Sequence, residues 1–265
     1  MAAHGDITQG LAPADIEAIE RATLDAVPPQ ATDSMGGWLL GLDAGTVGRA
    51  HSAVPLRHDG EVTDAGVVAL IESRYAAHGL RAVFRVPVLP SFGGVQAELA
   101  QRGYVQTKPT CTFIGTTAGM RALQAERRAE VGPAELLAAP DDAWRALFLG
   151  EGFDPADGAS RVQILGRACH AAFARVRLAG DTVAAGMGSY SQGWASVHGM
   201  RTLAPHRGKG LASSILVALA TEAQARGLTR VFLQVEKSNT GAQALYARAG
   251  FVHAWDYAYW HLRPD

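Results

Sequence analysis

The sequence predicts an α+β protein built from two related halves, each a mixed, mostly antiparallel sheet flanked by helices. Three observations carry this. An internal repeat keeps its order: LDAGTV (42–47) matches LAGDTV (178–183), AAHGLRAVF (76–84) matches QARGLTRVF (224–232), and AQRGYV (100–105) matches ARAGFV (247–252). Apolar stretches Ala172–Leu178, Thr182–Ser189 and Trp194–Leu203 are separated only by Ala179-Gly180-Asp181 and Ser191-Gln192-Gly193. Connections that short force antiparallel neighbours, because a parallel crossover needs about a dozen residues. Finally, a glycine-rich turn joins the last of these strands to a long apolar-faced helix.

Taken in order, Pro13–Ala26 is expected to be a helix, with Pro13 early and Pro28 just beyond its end. Gly37–Val54 reads as a hairpin around Asp43-Ala-Gly, Gly66–His78 as an amphipathic helix and Ala82–Val86 as a strand. Val95–Arg102 reads as a helix closed by Gly103, and Cys111–Ile114 as a short strand. Arg121, Glu126, Arg127, Arg128 and Glu130 form a charge run expected to be a solvated linker or helix. Pro133–Leu149 is expected to be helical and Glu151–Ser160 a loop, from its Gly, Pro and Asp content. After the three strands, a helix over Lys209–Arg226 places Leu211, Ile215, Leu216, Leu219 and Ala223 on one face. Val231–Val235 is a strand, Thr240–Ala249 a helix closed by Gly250, and Tyr257–Leu262 a last strand. The domains expected are 1–120 and 133–265, joined by a linker over 121–132. The offset between the halves grows from 136 residues at the hairpin to 148 at the second repeat. The first half therefore lacks about a dozen residues just where the second has its glycine-rich turn.

Lys plus Arg is 24 and Asp plus Glu is 25 in 265 residues, a net charge of −1. That balance offers no basic excess for a nucleic-acid partner or a polybasic membrane anchor. Hydrophobic residues at 48% against 18% charged can bury a core and exclude disorder. Cys111 and Cys169 are the only cysteines, without C-x-x-C spacing, so neither a disulfide scaffold nor a metal site is expected. No signal-peptide pattern and no run of 18 apolar residues are read, which predicts a cytoplasmic protein.

The chemistry lies in TLAPHRGKGLAS, residues 202–213. Gly208, Gly210 and Ala212 let backbone amides face inward, and a turn running into a helix N-terminus presents several N–H donors to an anion, most often phosphate. The dipole contributes only about 0.3–1 kcal/mol, so directed N–H bonds must supply most of the affinity, with Arg207 and Lys209 adding charge-assisted contacts. A Walker loop would need Ser or Thr after Lys209, where Gly210 stands. A dinucleotide fingerprint would need a parallel unit and a glycine at Ser213.

Residues 172–253 resemble the core of the GNAT superfamily of acyl-CoA-dependent N-acetyltransferases. Arg207, Gly210 and Ala212 fit its pyrophosphate loop, and Asn239, Ala242, Leu245, Tyr246, Gly250 and Phe251 fit its downstream pattern. The resemblance covers roughly 130–265; the first half joins it only through the internal repeat. It implies a GNAT-like fold in tandem, and acetyl transfer from acetyl-CoA to a primary amine by direct attack in a ternary complex. The amine would be a small molecule or a peptide, and the protein a monomer or homodimer. The cofactor-binding residues implied are Met200, Thr202, Leu203, Arg207, Gly208, Lys209, Gly210, Leu211, Ala212, Ser213, Asn239, Ala242 and Tyr246. In the family, two parallel strands splay to expose backbone groups to the pantetheine arm; here these would be Val197–Ala204 and Val231–Val235.

Tyr246 stands where the family commonly places its acid; the other reading is a core aromatic. Asn239 is a cofactor contact, a helix cap, or both. No Asp or Glu lies between Tyr190 and Arg207, so the strand carboxylate common in the family is missing. His198, on one strand face with Ser196, Met200 and Thr202 by alternation, is the candidate base, with packed histidine as its alternative. Glu236 is the other candidate. Glu151 and Asp154 could meet a cationic amine. The missing carboxylate keeps a second function open, a non-catalytic acyl-CoA-binding sensor. In the first half Ser91 stands for Asn239, Leu99 for Tyr246, and PLRHDGEVTD (55–64) for the glycine-rich turn. That half is expected to be a degenerate copy that binds no cofactor and helps wall the substrate cleft.

Overall fold

A computed structural model describes residues 11–59, 66–126, 131–150 and 154–263. Helix α1 (Pro13–Ala26) begins on its proline and buries Ile19, Ala22 and Ala26, spaced to lie on one helical face. It lies on one side of a single eleven-stranded sheet. The first half supplies β1 (Ala31–Met35), β2 (Trp38–Leu42), β3 (Ala53–Pro55), β4 (Phe84–Pro87) and β5 (Tyr104–Thr116), with helices α2 (Val67–Ala77) and α3 (Gly93–Gln101). The second supplies β6 (Glu135–Leu137), β7 (Ala171–Leu178), β8 (Asp181–Ser191), β9 (Trp194–Thr202), β10 (Arg230–Glu236) and β11 (Val252–Leu262). Between them run α4 (Thr117–Ala122), α5 (Asp142–Leu149), α6 (Pro155–Leu165), α7 (Leu211–Ala225) and α8 (Thr240–Arg248).

The strand order is β1-β2-β3-β4-β11-β5-β10-β9-β8-β7-β6. Two strands cross between the halves: β11, from the C-terminal end, pairs with β4 and β5, while β5 pairs with β10. The sheet is thus continuous, with no free edge where the halves meet. The three strands with short turns pair antiparallel as expected, β7 with β8 and β8 with β9.

Several local expectations are corrected. The short strand at Cys111–Ile114 is the middle of the 13-residue β5. Pro109 inside it reads as a break, yet the chain accommodates it with a register shift in the ladder to β11 and Lys108 at φ 47°. Pro133–Leu149 is not one helix: β6 pairs with β7, and a new helix starts only at Asp142, where the Asp141 side chain accepts from Trp144 N at 2.9 Å. The described part of Glu151–Ser160 is not a loop: Asp154 caps α6, accepting from the amides of Ala156 and Asp157, and Pro155 takes its first position. The hairpin at Gly37–Val54 is an antiparallel β2–β3 pair with a long excursion over 43–52, and an additional tight turn at Gly36-Gly37 joins β1 to β2. Of the charge run, Arg127, Arg128 and Glu130 lie outside the described residues, as do Glu151 and positions 60–64.

On β11, Asp256 accepts from Lys237 Nζ at 2.8 Å and from His253 Nε2 at 2.7 Å. Burial pushes its carboxyl up, but these bonds and one from Cys111 outweigh it and hold the pKa at about 2. A depressed carboxylate stabilises the fold above its unfolded pKa of about 3.9, and that contribution is lost as pH falls through 2. Acid titration of the wild type and of Asp256→Asn, followed by denaturant unfolding, should show about 2 kcal/mol separating them near pH 6 and converging below pH 2. A difference that does not depend on pH removes the charge from the explanation.

Candidate active site

The site begins where β9 and β10 part. Their parallel ladder runs from Val231 opposite Ala195 to Leu233 opposite Val197 and then ends, although β9 continues to Thr202 and β10 to Glu236. Backbone groups on the β10 side of β9 beyond Val197 therefore face an open wedge. The divergence is helped by a bulge: Ala185 pairs with Arg201 but Met187 with His198, so β9 carries one extra residue there. Gly199 makes it possible at φ 57°, a left-handed conformation that costs a side chain strain. The bulge also corrects the expectation from strict alternation. Ser196 and His198 share one face, 2.8 Å apart, while Met200 packs on the opposite face beside Ile215 of α7.

The wedge opens into a cleft of about 580 Å³. Of the expected residues, His198, Met200, Glu236, Asn239 and Tyr246 line it. Thr202, Leu203, Arg207, Gly208, Lys209, Gly210, Leu211, Ala212, Ser213 and Ala242 do not; apart from Ala242 on α8, they form the strand end and turn leading into α7. Gly208 and Gly210 have φ 73° and 85°, with open space where a Cβ would stand. No backbone carbonyl accepts from the amides of residues 208–213 among the described residues. Leu211 and Ser213 turn their side chains into the core, so they offer only their N–H groups. Arg207 stands exposed beside the turn, its Nε donating to Thr202 O at 3.3 Å. An array of unpaired amides at the start of a 15-residue helix, flanked by Arg207 and Lys209, fits a pyrophosphate.

Tyr246 is 6% exposed, and its hydroxyl has no hydrogen-bond partner among the described residues. Burial pushes its phenol up to about 12, so it remains protonated. Asn239 caps α8, its Oδ1 accepting from Ala242 N at 3.1 Å. His198 is buried; its Nε2 meets Ser196 and its Nδ1 has no partner. Burial, then the charge of Arg49, drives its pKa well below 6.5, so the ring is neutral. Glu236 is exposed at the cleft rim. Asp154 is occupied as a helix cap and does not line the cleft.

The opposite wall comes from the first half and from β11. Thr46, Arg49, His51, Thr107, Lys108 and Tyr259 line it. No motif marks these residues in the sequence; β5 and β11 reach the site only because they exchange places in the sheet. The excursion over 43–52 is pinned to α6 by Thr46 Oγ1 to Asp157 at 2.7 Å and by Arg167 to Asp43 at 2.7 Å.

Residues 13–260 match the family model described as "Probable histone acetyltransferase Rv0428c C-terminal". The chain belongs to this family. It is 26% identical over 242 residues to the uncharacterized N-acetyltransferase YobR of Bacillus subtilis, covering 89% of this chain and 94% of that one. It is 34% identical over 87 residues to the N-alpha-acetyltransferase MAK3 of Arabidopsis thaliana, spanning 32% of this chain and only 45% of that relative. The fold matches a GCN5-related N-acetyltransferase from Kribbella flavida with a TM-score of 0.70 at 17% identity, over 97% of this chain and 98% of the other. It also matches a tandem GNAT protein from the clavulanic acid biosynthesis pathway, with a TM-score of 0.59 at 16% identity, over 96% and 98%. The chain is thus a GNAT-type acetyltransferase, with the mixed, mostly antiparallel sheet and flanking helices of that fold. No helix among the described residues is long and apolar enough to cross a membrane.

Proposed function

We propose that this acetyltransferase moves the acetyl group of acetyl-CoA to a primary amine by direct attack in a ternary complex, at one site between β9 and β10. The observation that carries this reading is the coincidence of the wedge, the unpaired amides of 208–213 and the unpartnered Tyr246 hydroxyl. Bound there, the cofactor would supply an acyl group activated as a thioester. The amides of Gly208–Ser213, with Arg207 and Lys209, hold its pyrophosphate. Met200, Thr202, Leu203, Asn239 and Ala242 flank the path of its arm. A free β9 amide beyond Val197 is placed to receive charge developing on the carbonyl oxygen, and Tyr246 donates a hydrogen bond toward the departing sulfur. His198, neutral before attack, would take the proton shed by the attacking nitrogen and that proton would pass on to the departing sulfur, which leaves as the thiol, while Glu236 at the rim takes the proton with which a protonated amine arrives. Direct attack is favoured because no cysteine lines the cleft; Cys111 is buried, its thiol pushed up to about 11 by burial and by Asp256.

We read the first half as the degenerate copy, with residues 121–132 joining it to the catalytic half and no cofactor of its own. Ser91 Oγ donates to His58 O at 2.9 Å, and Leu99 is an apolar core residue, so neither supplies what Asn239 and Tyr246 do. The setting proposed is cytoplasmic. Calorimetry with CoA tests the site. Arg207→Glu should weaken binding about 10-fold or more, since it exchanges a charge-assisted contact for repulsion. Unchanged affinity in that variant, or no binding by the parent, ends the proposal.

A further inference from the structure

We infer that the acceptor amine carries an anionic group, a carboxylate or a phosphate, which Arg49 and Lys108 hold. This rests on the transfer reaction proposed above and specifies its substrate class. The sheet has two faces at the wedge. Val231, Leu233 and Val235 pack on the α7 side, while Phe232 and Gln234 face α1, with Gln234 Nε2 3.5 Å from Thr23 Oγ1. The pyrophosphate turn belongs to the α7 side. Arg49 binds Gln234 Oε1 at 3.3 Å, and its charge acts on His198, so it stands on the α1 side, where the acceptor must lie.

Arg49 is half-buried and that neutral amide is its only hydrogen-bond partner; no carboxylate pairs with it among the described residues. A guanidinium has five donors and is kept charged at any working pH. Lys108 is set on the same cleft by the β5 irregularity, again with no carboxylate paired to it among the described residues. The acids nearest this wall are already paired, Asp43 with Arg167 and Asp157 with Arg161 and Thr46, although the Lys108 charge also reaches Asp157. Among the described residues Glu236 is the only carboxylate in the lining. An acceptor with one amine and one anion matches this distribution, its nitrogen toward Glu236 and His198 and its anion toward Arg49 and Lys108. A polyamine or a lysine-rich peptide would meet two cations, Arg49 without a paired carboxylate among the described residues and Lys108 sharing Asp157 with Arg161.

Thiol release from acetyl-CoA is measured with matched acceptors: β-alanine against β-alaninamide, glucosamine 6-phosphate against glucosamine, and spermidine. The anionic member of at least one pair should show a kcat/KM about 10-fold or more above its neutral partner. The pair that responds tells carboxylate from phosphate. That preference should collapse in Arg49→Gln/Lys108→Met while CoA affinity by calorimetry stays at the parent value. Lys108→Met alone, on an exposed turn, carries the same test if the double variant does not fold. Equal or reversed preference, a preference that survives the substitutions, or silence of every acceptor while CoA binds overturns the inference. Failure of the parent to bind CoA instead overturns the proposed reaction itself.

Discussion

Tyr246→Phe should lower kcat about 100-fold and leave CoA affinity within about 2-fold. The substitution removes one oxygen from a ring that otherwise packs edge-on to Phe251, 5.8 Å between centroids, so the fold loses little. The size of the effect follows from the phenol. With its pKa at about 12, full proton transfer to a thiolate of pKa about 8.5 runs uphill by about 5 kcal/mol. In the proposed reaction Tyr246 therefore works chiefly as a hydrogen-bond donor to developing charge, at the lower end of what acid catalysis supplies. Stopped-flow thiol release checks the rate and calorimetry the affinity. If kcat is unchanged, Tyr246 is a core aromatic and the sulfur is served by another group.

Glu20→Ala should cost about 3–5 kcal/mol of stability and lower the melting temperature by roughly 10 °C. Glu20 on α1 and Arg85 on β4 are each 1% exposed, and their charged atoms lie 2.6 Å apart. Arg85 Nε and Nη1 have no acceptor among the described residues, and its guanidinium lies 5.1 Å from the Tyr257 ring. Burial pushes the Glu20 carboxyl up and Arg85 pulls it back, while Arg85 is held charged by Glu20. Nearby, burial and then the Arg85 charge push His58 down to about 4, so it adds no second cation beside Arg85. Removing Glu20 leaves a buried cation with nothing to balance it, which is the expensive half of such a pair. Glu20→Leu/Arg85→Met should recover most of the loss, because two apolar side chains need no partner. Differential scanning calorimetry on the singles and the double closes the cycle. A double variant as unstable as the single would mean that packing, not charge, sets the cost.

From β7 onward the helices and strands were legible because their signals are local. Leu211, Ile215 and Leu216 repeat at helical spacing, turns of two residues join β7 to β8 and β8 to β9, and Asn239 is placed to cap α8. The differences arose at turn-forming residues: the stretch of β5 from Tyr104 to Pro109 was not read as strand, and the Gly, Pro and Asp content of 151–160 made the capped α6 resemble a loop. The bulge at Gly199 was invisible for another reason. Alternation assumes one residue per ladder step, and only pairing with β8 reveals the extra one.

Residues 207–213 by themselves pointed to an anionic ligand, because amides exposed by glycine in a turn before a helix need no distant partner to offer donors to an anion. The acceptor wall was decided only by the tertiary structure. Arg49 and Lys108 lie far along the chain from His198 and Tyr246, in segments without a recognisable motif. They reach the cleft because β5 and β11 exchange places in one sheet, and pairing between distant strands is settled by packing across the whole molecule rather than by neighbours in the chain.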